Sequence, residues 1–151
     1  MYYDLLKGIY CSNLVSSEIW ITRNHLDKMV EFLEYCKGLG LGVRINKCGG
    51  VKEDDIQVYI PGLNPYNKSD DILVIIWSLD GEWTTYNCLL HMIEGKRVIG
   101  TNSDTIFRWK PRPTDMDIGI ETFKEFVNTE YKRYKEMLIE LKKEKLQKDF
   151  V

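Results

Sequence analysis

Hydrophobic residues recur with a helical period near both ends of the chain and with a period of two between them. Across residues 22–40 the apolar side chains stand three or four positions apart, which predicts a helix with one buried side. Thr22 or Asn24 is suited to cap its first amides, and Gly38 is suited to end it in a left-handed conformation. The apolar side chains of this helix are Leu26, Met29, Val30, Leu33 and Cys36.

A second, longer helix is predicted over residues 114–147. Thr114 precedes Asp117 by three positions, which resembles a capping box, and Pro113 stands just before it. Acidic residues fall near the start of this helix and lysines near its end, as the helix dipole favours. Its apolar side chains form one continuous seam. The seam consists of Phe123, Val127, Tyr131, Tyr134, Leu138 and Leu141.

The region between the helices alternates apolar and polar residues, which is typical of strands. Asp80 and Gly81 are the strongest hairpin signal, because a type I′ turn needs positive φ at both central residues. Turns are also predicted at residues 94–96 and 48–50, and the unbroken apolar run 72–77 indicates a central strand covered on both faces. The predicted strands are 41–47, 55–62, 72–79, 82–93, 97–100 and 105–110.

These elements predict a single α+β domain over residues 1–151. Its antiparallel sheet would have about five to six strands, flanked by an N-terminal helix and a long C-terminal helix. The composition agrees, since 44% hydrophobic and 29% charged residues suit a compact domain with its own core.

Cysteine usage and the start of the chain predict a cytoplasmic protein. The four cysteines contain no C-x-x-C pair, which favours reduced thiols over a disulfide framework. The first residues carry an acid at Asp4 and only a short apolar run, unlike a signal peptide. No apolar stretch approaches the roughly 18 residues of a membrane span, so no membrane association is expected.

Two short patterns resemble nucleotide-binding motifs, but the neighbouring sequence excludes both. Gly38, Gly40 and Gly42 have the spacing of a dinucleotide loop, but they close a predicted helix and open a strand, the reverse of the required order. Residues 67–70 read NKSD, as in guanine-reading motifs, yet the chain contains no phosphate loop to hold a triphosphate. No cofactor is predicted.

Metal-binding and catalytic residues are equally sparse. Only His25 and His91 are available as imidazole ligands, and Cys88 stands three positions from His91 on a predicted strand, so the two side chains point to opposite faces. The acidic pairs at 54–55, 70–71 and 115/117 lie in turns or at a helix start, where acids are favoured without a metal. No metal site is predicted, and no catalytic signature is present.

Aromatic residues on or beside the strands are the first candidates for partner binding. Tyrosine and tryptophan concentrate at interfaces because they offer large contact area at little rotamer entropy. The same residues also suit a sheet face packed under helices, and the pattern does not choose between the two. The candidates are Tyr59, Tyr66, Trp83 and Tyr86.

The stretch 105–117, TIFRWKPRPTDMD, raises a second candidate surface. With a period of two, Phe107 and Trp109 share one face of a strand, while Ile106, Arg108 and Lys110 share the other. Aromatics turned to the core with charges outside describe an edge strand that resists pairing with neighbours. Together with Arg112, the two outward cations form a predicted basic strip.

Three functions remain open at this point. The favoured hypothesis is a non-enzymatic protein that binds a protein partner, plausibly an inhibitor or regulator of a larger enzyme such as a small phage-type antagonist; a homodimer through the C-terminal helix is compatible with it. The first alternative is nucleic-acid binding through the basic strip and the last helix, since residues 105–148 carry net charge +3 against −4 for residues 1–104. The second is an enzyme with dispersed catalytic residues.

Overall fold

The computed structural model describes residues 23–46, 55–63, 71–77, 81–102, 104–110 and 116–149. Within them lie two helices, α1 (Arg23–Leu39) and α2 (Met116–Asp149), and seven strands. The strands are β1 Gly42–Asn46, β2 Asp55–Tyr59, β3 Ile72–Trp77, β4 Trp83–Thr85, β5 Cys88–Ile93, β6 Lys96–Thr101 and β7 Arg108–Trp109.

The strands form two antiparallel sheets, which confirms the predicted α+β fold. The main sheet has the order β1-β2-β3-β4-β7, and β5 pairs only with β6 in a separate hairpin. β3 is the central strand, and five of its six residues are buried, as its apolar run predicted. The predicted strand 105–110 is a regular strand only at Arg108–Trp109, where it forms an edge of the main sheet; Ile106 N and Phe107 O also form backbone hydrogen bonds with Thr85.

The prediction of one strand over residues 82–93 is wrong, because the chain changes sheets in the middle of it. Tyr86 N donates to Leu73 O (2.8 Å) at the last contact with the main sheet. Asn87 O then accepts from Asn102 N (2.7 Å), which starts the pairing of the hairpin. A continuous period of two does not show where a strand changes its partner, since both halves alternate alike.

The helix α1 is terminated by Gly40 and not by Gly38. Gly40 has φ +99°, and its N–H donates to Lys37 O (3.0 Å) while Leu41 N donates to Cys36 O (3.0 Å). This pair of bonds is the Schellman arrangement. It places Leu41, which is 3% exposed, in the core, so burial of the residue after the glycine selects the later end.

Two predicted turns join strands as expected. Gly81 has φ +69° between the antiparallel strands β3 and β4, while Asp80 lies outside the described residues. Glu94 (φ +52°) and Gly95 (φ +78°) both take positive φ between β5 and β6, as a type I′ turn requires. The turn predicted at residues 48–50 lies outside the described chain.

The hydrophobic core lies between the two helices and one face of the main sheet. Its centre combines Phe32 of α1 with Trp83 of β4 and Phe123 of α2, all 0–1% exposed. The first half of α2 therefore belongs to the core, whereas the second half packs on the β5–β6 hairpin. The hairpin contacts the helix from Cys88, beside Glu130, to Arg97, beside Glu144, which is about 20 Å along the helix.

Candidate binding surface

The structure decides between the two interpretations of Trp83. Its side chain is 0% exposed, and its ring lies 5.0 Å from that of Phe32, 4.8 Å from Phe123 and 5.3 Å from Trp109. Trp83 is thus a core residue that cannot touch a partner of the folded chain. The cause is β4, which is interior to the main sheet and faces the helices with Trp83.

The tyrosine Tyr59 is half-buried and belongs to a polar cluster on the face of the main sheet that is turned away from the helices. The guanidinium of Arg44 lies 4.3 Å above its ring, a cation–π contact. Arg44 also donates to Gln57 Oε1 (2.7 Å) and through two nitrogens to Asp71 (2.8 and 3.2 Å). Because Asp71 is buried and bidentately paired, this cluster stabilises the sheet face. Tyr86 is half-buried where β4 ends, and Tyr66 lies outside the described residues.

The alternation predicted for residues 106–110 is confirmed. Phe107 and Trp109 pack against the core, while Ile106, Arg108 and Lys110 are exposed. Arg108 Nε lies 3.5 Å from Glu82 Oε1, so one cation of the predicted basic strip already has an acidic neighbour. Arg112 lies outside the described residues, so Arg108 and Lys110 are the described members of the predicted strip.

The apolar seam of α2 packs within its own chain. Phe123 and Val127 are buried in the core, and Tyr131 and Tyr134 are half-buried against it. Beyond them the helix carries the hairpin. A dimer built on this seam would have to displace those contacts, so a partner has to use other surfaces of the helix.

The hairpin β5–β6 packs on residues 131–149 of α2, and together they are called the arm below; the remaining described residues are called the body. Six large hydrophobic side chains are exposed in the described chain, and four of them belong to the arm. These four are Met92 (62%), Ile93 (46%), Ile139 (53%) and Leu146 (58%). Sequence patterning missed this surface because an apolar period does not show which apolar side chains the fold leaves uncovered.

Charge is divided between the same two units. The arm contains nine basic and five acidic residues, a net charge of +4. The described residues of the body contain seven basic and eleven acidic residues, a net charge of −4. The charge asymmetry seen along the sequence therefore becomes a spatial one, with a positive arm on a negative body.

One buried carboxylate joins the arm to the body. Glu130 is 6% exposed, and its Oε2 accepts the backbone N–H of Cys88 (2.9 Å), the first residue of β5. Arg133 Nη1 donates to both oxygens of the same carboxylate (3.0 and 3.1 Å). Glu130 thus fixes the point at which the hairpin meets the helix. Its sequence signal was its place beside the seam residues Val127 and Tyr131.

Cys88 and Cys36 are buried thiols without nucleophilic character. The pKa of each is raised to about 12, by burial for Cys36 and by burial together with the nearby Glu130 carboxylate for Cys88. A thiol with such a pKa carries almost no thiolate at neutral pH. The side chain of His25 lies outside the described residues.

An open groove of about 800 Å³ runs between α1 and the first half of α2. Its lining is net acidic: Asp117, Glu121 and Glu125 outnumber Lys124, whose Nζ lies 3.4 Å from Glu121 Oε1, and Tyr35 and Ile118 add apolar surface. Lys28 Nζ lies 2.9 Å from Asp117, and this bond, followed by the charge of Glu31, raises the pKa of Lys28. The groove is shallow and open, unlike the enclosed sites in which catalytic groups converge.

Metal sites, membrane-spanning helices and relatives among known proteins also bear on the function. In the described part of the chain, no three histidine, cysteine or acidic side chains are grouped so as to hold a metal ion. Neither described helix combines the length and the apolar character needed to cross a membrane. Comparison of the chain with protein-family models, curated proteins and solved structures found no match.

Proposed function

We propose that this protein is a non-enzymatic binding protein and that the arm is its contact surface for an acidic protein partner. The observation that carries the proposal is the coincidence of exposed aliphatic side chains with positive charge on the arm. Apolar groups supply affinity by leaving water, and the cations steer and select an acidic surface. By covering such a surface, the protein would act as an inhibitor or regulator of that partner.

The side chains of the arm favour a protein over a nucleic acid. Binding to single strands uses aromatic rings on which bases stack. The exposed large apolar side chains of the arm are methionine, isoleucine and leucine. Its rings Tyr131 and Tyr134 are half-buried and lie 6.1 Å from each other. Aliphatic side chains cannot stack bases, yet burying one fully in a partner is worth roughly 1.5–3 kcal/mol.

The test compares the wild-type chain with the double variant Met92→Ser and Ile93→Ser as bait in extracts of the source cells treated with nuclease. A protein retained by the wild type is identified, purified and titrated against both baits by calorimetry. We expect the double variant to bind at least about tenfold more weakly, since two exposed apolar contacts are removed. We also expect binding to weaken with salt, because the contact is partly electrostatic.

Ile106→Ser is the matched control, because Ile106 is 45% exposed on the body. It should leave the affinity unchanged. Equal binding by the wild type and the Met92/Ile93 variant would contradict the proposal that the arm contacts the partner. Capture that disappears after nuclease treatment, with salt-dependent binding to a purified oligonucleotide, would favour the nucleic-acid alternative instead.

A further inference from the structure

The outward surface of α2 is mainly acidic in its first half and mainly basic in its second half, although Glu136 also lies on the second half of this surface. At 100° per residue, Ile118, Glu121, Glu125, Ile139 and Lys143 lie within about 60° of each other around the helix. This stripe is exposed along its whole length, with Ile118 74% exposed in the body and Ile139 53% exposed in the arm. The seam that holds the core and the hairpin is on the opposite side.

The acidic half of the stripe forms one wall of the groove described above. Glu121 and Glu125 line it, and Ile118 and Tyr35 add apolar surface. The basic half ends in the exposed Leu146, near Lys143 on the same side of the helix. An acidic groove with apolar surface and a basic helix end with apolar side chains are complementary, and a second copy of the chain supplies both.

We propose that two copies associate through this stripe with their α2 helices antiparallel, the basic end of each helix lying in the acidic groove of the other. Groove and helix end lie on one straight element, so a single two-fold axis fills both grooves at once. A parallel pair would instead set acids against acids and bases against bases, which is unfavourable.

One register of the antiparallel pair sets apolar residues of the stripe against apolar ones and acids against bases at most positions. With the axis at Lys132, Ile118 meets Leu146 and Glu121 meets Lys143. The overlap from residue 118 to residue 146 spans about 42 Å at 1.5 Å per residue. Lys132 meets its own copy at the axis, which is the one like-charge contact of the register along the stripe.

This dimer goes beyond the proposed function and would regulate it. Antiparallel pairing covers Ile139, Lys143 and Leu146 of the arm but leaves Met92 and Ile93 of the hairpin free. An acidic partner that uses the helix end would therefore compete with the second copy, and the monomer would bind it more tightly than the dimer.

Sedimentation velocity of the full chain tests the dimer directly. We expect a monomer–dimer equilibrium at protein concentrations up to about 100 μM. Raising the salt from about 0.05 M to about 0.5 M should shift it toward monomer, because the screening length falls below the spacing of the exposed charges. A monomer at all these concentrations in low salt overturns the proposal.

Charge reversal tests the geometry. Glu121→Lys alone and Lys143→Glu alone each create two like-charge contacts in a two-fold dimer, and each should weaken it at least about tenfold. Mixing the two variants should restore association, since in the mixed pair the lysine introduced at 121 meets the acid introduced at 143, and the native pair meets in the other groove. Lys132→Leu should strengthen the wild-type dimer by removing the repulsion at the axis.

The controls carry the same charge changes outside the groove. Glu34→Lys and Lys37→Glu alter exposed residues of α1, and both should leave the dimer unchanged. A mixture of the two stripe variants that stays monomeric would overturn the antiparallel arrangement. Because Met92 and Ile93 stay outside the dimer contact, loss of dimerisation with retained partner binding separates a failure of this inference from a failure of the proposed function.

Discussion

At the residue scale, the core depends on a cluster of aromatic rings around Trp83. Its Nε1 is buried without a hydrogen-bond partner, which costs roughly 1–3 kcal/mol. A large aromatic side chain buries about 150–250 Å², worth about 4–6 kcal/mol at 25 cal/mol per Å². The gain from burying the ring exceeds the cost of its unpaired N–H, and contacts with three other rings add to it.

The thiols of Cys36 and Cys88 should be inert in the folded protein. Iodoacetamide at neutral pH should label both far more slowly than in the chain unfolded by guanidinium, because they are buried and their pKa values are raised to about 12. Peptide mass spectrometry measures each site separately. Fast labelling of Cys88 in the native protein would instead indicate an activated thiolate.

The same pKa shifts predict the alkaline stability. Above the ordinary thiol pKa of 9.0 the unfolded chain loses protons that the folded chain keeps. Stability should therefore fall as the pH rises from about 9 to about 12, by up to about 1.4 kcal/mol per pH unit for each thiol. Urea titrations along this pH range measure it, and Cys36→Ala should make the slope shallower.

At the scale of elements, the position of α2 over the sheet is set by a close approach at Gly119. A Cβ at this position would lie 2.1 Å from the ring of Trp109. Gly38 is also inside a helix, but a Cβ there meets nothing within 4 Å. Packing against Trp109 therefore requires a glycine at position 119, whereas packing does not require one at position 38.

Alanine substitution should separate these two glycines. Gly119→Ala should destabilise the fold by roughly 1–3 kcal/mol, since helix and Trp109 must move apart. Gly38→Ala should stabilise it by about 0.5–1 kcal/mol through helix propensity. Urea unfolding monitored by circular dichroism gives both values. A stabilising Gly119→Ala would show that the ring of Trp109 moves aside at little cost.

At the scale of the molecule, the body and the arm differ in how much of each is buried. β2, β3 and α1 contribute most of the fully buried side chains, whereas in the hairpin only Cys88, Ile99, Gly100 and Thr101 are buried. Segments with few buried contacts open at lower free energy than the core. The junction at Glu130 should be the boundary between the two levels of stability.

Native-state hydrogen exchange should show this division. Amides of β5, β6 and residues 131–149 should exchange faster than those of β2, β3 and α1, with a step near residue 130. Glu130→Gln should raise exchange in the hairpin more than in β3, because it weakens the carboxylate that holds Cys88 N. Uniform exchange across body and arm would mean that the two unfold as one unit.

The amino-acid sequence alone determined the elements and the fold class. The apolar period placed α1 and α2 within two residues of their observed starts, and positive-φ residues placed the turns at Gly81 and Gly95. The alternation of residues 106–110 correctly separated core aromatics from outer cations. These features are local, because periodicity and turn chemistry act over a few neighbouring residues.

Only the tertiary structure decided which surfaces exist. It buried Trp83, divided the strand 82–93 between two sheets, engaged the seam of α2 inside the chain and left Met92 exposed on a positive arm. Each outcome depends on which strand or helix lies beside a residue. A pattern of apolar positions predicts that one face of an element is buried. Which element covers that face is decided by contacts between distant parts of the chain.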